Sequence, residues 1–130
     1  MSERCDYVAQ LSETSALVAR SNAVNSYDLV YQSRSGPPTQ PWLVPELCQH
    51  LRQLYAQGVK QVVVSPLGFV AEHMEVVWDL DIEAATCARE LGIDFVRAKT
   101  VGRHPDFVAM VRELVHERSR SVTPRTTGKQ

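Results

Sequence analysis

A chain of 130 residues, with 44% hydrophobic and 22% charged side chains, has the composition of a folded globular protein with a single hydrophobic core. Its formal net charge of −1 provides no basic surface for a phosphate backbone, so the sequence predicts no nucleic-acid partner. No apolar run approaches the roughly 18 residues that a membrane-spanning helix needs, and the charged start is unlike a signal peptide, so no transmembrane segment is expected.

The first half of the chain predicts two helices, one strand and a stiff loop. Apolar side chains recur every three or four residues between positions 6 and 23, which is the pattern of an amphipathic helix. The β-branched and aromatic residues 27–33 predict a strand, and the four prolines within residues 34–45 predict a loop of restricted backbone. A second helix is expected from Pro45 to the closing glycine, Gly58.

The second half continues this alternation. Residues 60–66 contain an unbroken apolar run, which is typical of a strand covered on both faces. A third helix is expected to close at Gly92, residues 93–98 predict another strand, and a last helix is expected to begin near Pro105. The alternation indicates an α/β fold, with a doubly wound parallel sheet and helices on both faces.

The predicted domain covers residues 1–121, and the polar residues 122–130 are expected to form a flexible tail. The chain has three cysteines that are far apart and lack CxxC spacing, Cys5, Cys48 and Cys87. Free thiols of this kind are typical of a reducing compartment, so we expect a cytoplasmic protein.

An acidic segment, residues 72–83, follows the second predicted strand. It contains no Lys or Arg and gathers five carboxylates: Glu72, Glu75, Asp79, Asp81 and Glu83. Ligands of parallel sheets bind beyond the carboxyl ends of the strands. The acidic segment and the proline loop both leave from such ends, so we expect them to face one cleft.

On a regular helix at about 100° per residue, Glu72, Glu75 and Asp79 fall on one face. Such a row can take up a cation or pass protons, because neighbouring carboxylates raise one another's pKa. A solvated acidic face near a helix N-terminus, favoured by the macrodipole, explains the same pattern without chemistry. His73 adds a nitrogen ligand, but on a regular helix it points about 200° away from Glu75, so the two converge only on a distorted turn.

Three strings in this order, YQSRSGPPTQPW, SPLGFVAEHMEVVWDLDIEA and TVGRHPDFV, resemble the C-terminal half of the ferrochelatase family, in particular the bacterial, actinobacterial-like form that metallates coproporphyrin III. The likeness runs from about Tyr7 to Arg118. It implies a chelatase-like α/β domain and a metal-inserting lyase of haem biosynthesis. Porphyrin and ferrous iron are then substrates, and no permanently bound cofactor is expected.

The resemblance also implies roles for individual residues. The family's H-x-E motif falls on His73 and Glu75, which are then catalytic and hold the iron. The family's acidic relay for protons and metal lies on a helix with a π-bulge, and it falls on three residues: Glu72, Asp79 and Asp81. A π-bulge can re-aim side chains. The tryptophan near the porphyrin falls on Trp42, and Glu75 is expected to point into a pocket at the rim of the sheet.

Parts of the family pattern are missing from this sequence. A second iron-site histidine, on a strand before the segment equivalent to Tyr7, and the whole N-terminal domain are absent. We therefore expect a fragment with an incomplete sheet and little activity alone, whose partner is the missing domain or a second copy. The tail after Val115 lacks the cysteines that bind an iron–sulfur cluster in some members, so no cluster is expected.

Two alternatives stay open at this point. One is a stand-alone homodimeric short chelatase of the same superfamily, in which each copy lends His73 and Glu75 to a shared cleft. The other is a non-catalytic module that binds a metal or a tetrapyrrole.

Overall fold

The structure is a computed structural model that describes residues 6–32, 37, 39 and 41–121. The chain divides into two compact units between Thr100 and Val101. The first unit contains a parallel sheet and most of the helices, and the acidic segment belongs to it.

Helix α1, Tyr7–Ser21, opens the first unit and confirms the first predicted helix. The carboxylate of Asp6 caps it by accepting a hydrogen bond from the amide of Ala9 at 3.0 Å. This bond satisfies one of the N–H groups that the first turn of a helix leaves without a partner. Its buried side chains, Ser15 and Ala19, lie one turn apart on one face.

The strand predicted at residues 27–33 is wrong for the described part of that segment. Tyr31 makes only an isolated parallel bridge to Glu46: its amide donates to the carbonyl of Pro45 at 2.9 Å, and its carbonyl accepts from the amide of Leu47 at 3.0 Å. The local side chains favour extended backbone, but a strand also needs a neighbour along its length. Whether such a neighbour is present depends on the tertiary fold, and local strand propensity does not predict it.

Helix α2, Leu47–Ala56, begins later than its proline signal indicated. Glu46 caps it, and the Glu46 carboxylate accepts hydrogen bonds from the first two amides that follow Leu47, at 2.8 and 2.9 Å. A capping carboxylate therefore sets the start, and Pro45 lies just outside the helix. Gly58, with φ at 86°, follows the last turn in the left-handed conformation, as predicted.

Strands β1, Gln61–Val64, and β2, Asp94–Arg97, pair in parallel and confirm the two later predicted strands. Val63 lies opposite Val96, and these two side chains are 73% and 53% exposed. Among the described residues of the first unit, the face of β1 that carries Val63 is therefore exposed. An unbroken apolar run favours burial, but it does not say how many layers cover the sheet.

A continuous helical run follows β1 and consists of α3, Met74–Val76, a π-helix, Val77–Ala84, and α4, Ala85–Leu91. Four of its buried residues are spaced four apart: Val76, Leu80, Ala84 and Ala88. On an α-helix this spacing drifts around the axis by about 40° per step, because one turn takes 3.6 residues. The π-helix turns less per residue, since its hydrogen bonds span five residues, and so it keeps these side chains on one face.

The hydrophobic core of the first unit lies between α2, the helical run and the inner face of the sheet. Its largest fully buried side chains are Leu51, Val76 and Leu80, and Phe95 of β2 packs against them. Gly92 ends α4 with φ at 70° and turns the chain into β2, as its position in the sequence predicted. The parallel sheet and its packed helices confirm the α/β class.

The second unit contains helix α5, Pro105–Ser121, which begins at the predicted proline. In the described ranges, no helix has both the length and the apolarity to cross a bilayer. Cys48 and Cys87 are free thiols, as expected. Cys5 and the predicted tail at residues 122–130 lie outside the described residues.

Candidate metal site

The loop that leaves the carboxyl end of β1 fixes the start of the acidic segment. Gly68 lies close to α1: a Cβ on it would stand 3.3 Å from the hydroxyl of Tyr7, a tight contact that the end of the tyrosine side chain would relieve by a small shift. Phe69 packs against the core, and its ring meets the ring of His73 edge-on, with centroids 4.9 Å apart at an angle of 72°. This T-shaped contact orients the imidazole.

His73 is the N-cap of α3 and not part of the helix. Its backbone is extended, with φ at −145° and ψ at 174°, so its side chain does not follow the helical period. The separation of about 200° from Glu75 on a regular helix therefore does not apply. The ring is exposed, and Nδ1 accepts a hydrogen bond from the amide of Val76 at 3.5 Å, which is long for such a bond.

The π-helix is present as the resemblance implied, but it begins at Val77, after Glu75. It therefore changes the direction of Asp79, not that of His73. Glu75 is exposed in the first turn of α3, and Asp79 is half-buried in the first turn of the π-helix. The predicted common helical face of Glu72, Glu75 and Asp79 is wrong, because Glu72 precedes the helix.

Arg97, the last residue of β2, pairs with two of the acids. Its Nε and Nη2 donate to the two carboxylate oxygens of Asp81 at 2.6 and 2.8 Å, and its Nη1 donates to those of Glu72 at 2.9 and 3.0 Å. The amide of Thr100 also donates to Glu72, at 2.9 Å. We call the group formed by Glu72, Asp81 and Arg97 the Arg97 clamp. The arginine side chain is 16% exposed, so this pairing is partly shielded from water.

The contacts in the clamp also favour the charged forms of its members. The hydrogen bonds from the Thr100 amide and from Arg97 lower the pKa of Glu72 below the 4.5 usual for glutamate. The hydrogen bonds to Asp81 and Glu72 raise the pKa of Arg97 although burial opposes this. Glu72 is therefore an ionised, paired carboxylate at neutral pH.

The sequence reasoning missed Arg97, which lies 16 and 25 residues away from its two partners. A usable signal was present, because an arginine at the end of a strand paired with β1 lies at the same sheet edge as the acids. It also missed the orienting contact of Phe69, although the GF pair before the acidic segment was conspicuous.

The two tryptophans lie on different segments. Trp78 is 55% exposed, and its indole N–H donates to Glu83 at 3.1 Å, so Glu83 is also paired. Trp42 is 37% exposed and lies within the predicted proline loop. Residues 34–36, 38 and 40 of that loop lie outside the described residues, and so does the cleft predicted between the loop and the acidic segment.

The described residues do not enclose Glu75, so the predicted pocket around it is not formed by them. A shallow cavity of about 540 Å³ lies elsewhere, between α2 and the helical run, where Cys48, Ile82 and Cys87 are among its lining residues. Across the described ranges, no three His, Cys, Asp or Glu side chains are arranged to hold a metal ion. In this part of the chain, His73 and Glu75 offer one nitrogen and one oxygen donor without a third ligand.

Almost the whole chain is similar in sequence to one part of longer known proteins. The family model Ferrochelatase matches residues 1–119. A ferrochelatase of Rhodopirellula baltica is 50% identical over 119 residues, and a coproporphyrin III ferrochelatase of Nocardia farcinica is 47% identical over 122 residues. These alignments cover 91% and 94% of this chain but 34% and 35% of the relatives. The chain thus spans about a third of the length of the curated relatives that it matches.

A solved structure of similar size shares the fold. It is described as a cobalamin (vitamin B12) biosynthesis CbiX protein from Marinobacter aquaeolei, and it matches with a TM-score of 0.54. The match covers 86% of this chain and 88% of the other at 22% sequence identity. At this identity the likeness concerns the fold alone, and it confirms the predicted fold class.

Proposed function

This chain belongs to the ferrochelatase family, and on that premise we propose that it supplies the iron-binding side of a site that inserts ferrous iron into a porphyrin. The observation that carries the proposal is the position of His73 and Glu75, which lie at the start of the helical run, shortly after the carboxyl end of β1. Within the described residues, neither side chain is held by an ion pair.

A mixed nitrogen and oxygen site suits ferrous iron that must be released again, because it binds the ion less tightly than thiolates would. The imidazole of His73 is already oriented by Phe69. Its Nδ1 gives up only a 3.5 Å hydrogen bond to the amide of Val76 when it turns to a cation. Such a long bond is weak, so its loss costs little.

Insertion also releases protons from the pyrrole nitrogens, and we propose carboxylates as their path. Asp79 lies four residues after Glu75, a spacing that places neighbouring side chains near each other on a helix. Glu72 and Asp81 belong to the same proposed relay, but both already bond to Arg97.

We assign the porphyrin side of the site to Trp42, whose partly exposed indole offers a flat surface for a flat macrocycle. A porphyrin must be bent before its nitrogens can take the metal, and binding energy from its periphery can supply that strain. Coproporphyrin III is the proposed substrate because several relatives carry it in their names. The remaining ligands and the other wall come from the rest of a longer protein or from a second copy.

Calorimetric titration with ferrous iron under anaerobic conditions tests the metal site directly. We expect Glu75→Gln and His73→Ala each to weaken binding by about tenfold or more, because the loss of even an outer-shell partner of a metal ligand costs that much. Glu83→Gln is the matched control, because Glu83 lies on the same helical run but bonds to Trp78. If Glu75→Gln binds iron as tightly as the wild type, the proposal is wrong.

Metallation tests the reaction separately. The chain is mixed with the separately produced N-terminal part of the Rhodopirellula baltica relative, ferrous iron and coproporphyrin III, and the absorbance of the metalloporphyrin is followed. We expect turnover from the mixture, little from the chain alone, and a strong loss with Glu75→Gln. Robust turnover by the chain alone would contradict the proposal that this chain supplies only one side of the site.

A stand-alone homodimeric chelatase is the second candidate, because a chain of this length can form the fold without further domains, as the match over 86% and 88% of the two chains indicates. Sedimentation separates the two: a monomer of 14.6 kDa removes this candidate, whereas a dimer that metallates unaided supports it. Tight porphyrin and iron binding without metallation, even with the N-terminal part added, would instead indicate a binding module.

A further inference from the structure

We propose that Arg97 is a positioning residue of the candidate site, which supports the π-helix by holding Asp81 within it and Glu72 before the helical run at the same time. The two carboxylates lie on either side of the segment that contains His73, Glu75 and Asp79. Arg97 reaches both from β2, which is a strand paired to β1 and not part of the helical run. This inference rests on the proposed function only where it concerns iron.

The geometry of the clamp is that of a fixed support. Both oxygens of Asp81 are engaged at 2.6 and 2.8 Å by two nitrogens of one planar guanidinium. This two-point contact sets direction as well as distance. Glu72 is held by Arg97 and by the Thr100 amide together.

The π-helix needs contacts from outside the helical run. It continues directly from α3, because Val76 precedes it in helical conformation. π-Helical geometry is rare and short in proteins, so surrounding contacts must select it over the α-helix. Asp81 lies in the middle of Val77–Ala84, and its bond to Arg97 is a contact of this kind.

The two possible roles of Arg97, as a charge and as a support, predict opposite changes in cation affinity when Arg97 is removed. If the guanidinium acts only through its charge, its removal leaves more negative charge near the site and strengthens cation binding. If it positions the helix, its removal loosens the segment and weakens cation binding. The sign of the change in iron affinity therefore separates the two roles.

The test compares Arg97→Gln and Arg97→Lys with the wild-type chain. Arg89→Gln serves as control, because Arg89 lies in the same helical run and its side chain donates to Thr86. Hydrogen exchange of the amides in Val77–Ala84 measures the helix without any metal. We expect about tenfold faster exchange in Arg97→Gln and a smaller change in Arg97→Lys, since lysine cannot make the two-point contact. Arg89→Gln is expected to match the wild type.

The second measurement is the affinity for ferrous iron, which we expect to fall by about tenfold in Arg97→Gln and partly recover in Arg97→Lys. Circular dichroism checks that each variant is folded, and Arg97→Lys decides the question if Arg97→Gln does not fold. Unchanged exchange in the π-helix overturns the proposal. Faster exchange with equal or tighter iron binding also overturns it, because Arg97 then supports the helix without positioning the site.

Failure of the proposed function gives a different result. If wild-type binding of iron does not depend on Glu75, the iron proposal falls. The exchange data on the metal-free chain still decide whether Arg97 holds the π-helix.

Discussion

Leu80→Ala tests whether the π-helix packs as described. Leu80 is 1% exposed in the middle of that helix, so its side chain is wholly inside the core. At roughly 0.8 kcal/mol per methylene-sized group, removing its branched end costs about 2.4 kcal/mol of transfer free energy. The cavity left behind adds to this, which gives an expected loss of about 3 to 4 kcal/mol.

Urea unfolding followed by far-ultraviolet circular dichroism measures this loss. The matched control is Ile82→Ala, because Ile82 lies two residues further on the same helix and is 48% exposed. We expect the control to cost about 1 kcal/mol, since about half of its apolar surface already meets water. A loss below about 1 kcal/mol for Leu80→Ala would refute the reasoning, because Leu80 would then not lie on the buried face.

Three further predictions concern single positions. Gly92→Ala should lower the free energy of unfolding by about 1 kcal/mol, because φ at 70° strains any side chain although the space around it is empty; unchanged stability in urea would contradict this. The Thr100 amide and Arg97 lower the pKa of Glu72, so its stabilising contribution is complete above pH 4.5 and is lost as the pH falls through the folded-state pKa. Glu72→Gln should therefore flatten this acidic part of the plot of unfolding free energy against pH. An identical plot for the variant and the wild type would count against the prediction. Burial, followed by the charge of Glu46, raises the pKa of the Cys48 thiol. In a variant with Cys48 as its sole cysteine, a disulfide reagent should therefore react at about pH 8 at least roughly tenfold more slowly than in urea, and equal rates would refute protection.

The sequence predicted those elements that depend on local signals. Gly58 and Gly92 marked the ends of two helices, because glycine adopts the left-handed conformation more readily than other residues, and the apolar runs marked β1 and β2. The failures concern tertiary facts. In the described part of the chain, the strand predicted at residues 27–33 has only an isolated bridge, and the face of β1 that carries Val63 is exposed.

In the candidate site, too, local features were predictable and tertiary contacts were not. The motif placed His73 and Glu75 next to each other, but it could not reveal that His73 caps the helix, since one extended residue changes which side chains share a face. The clamp was missed because Arg97 meets Glu72 only after two strands have paired, and the position of Arg97 at the end of a predicted strand was its one signal. Carboxylates that looked unpaired in sequence were therefore neutralised from elsewhere in the fold.

The uncovered valines of the sheet matter for anyone who prepares this protein at high concentration. Val63 and Val96 lie opposite each other in the strand register, and both side chains are exposed. They therefore form an apolar surface through which molecules can associate. Opposite charges introduced there as Val63→Lys and Val96→Glu would meet each other and water. We expect this variant to self-associate less than the wild type at high concentration.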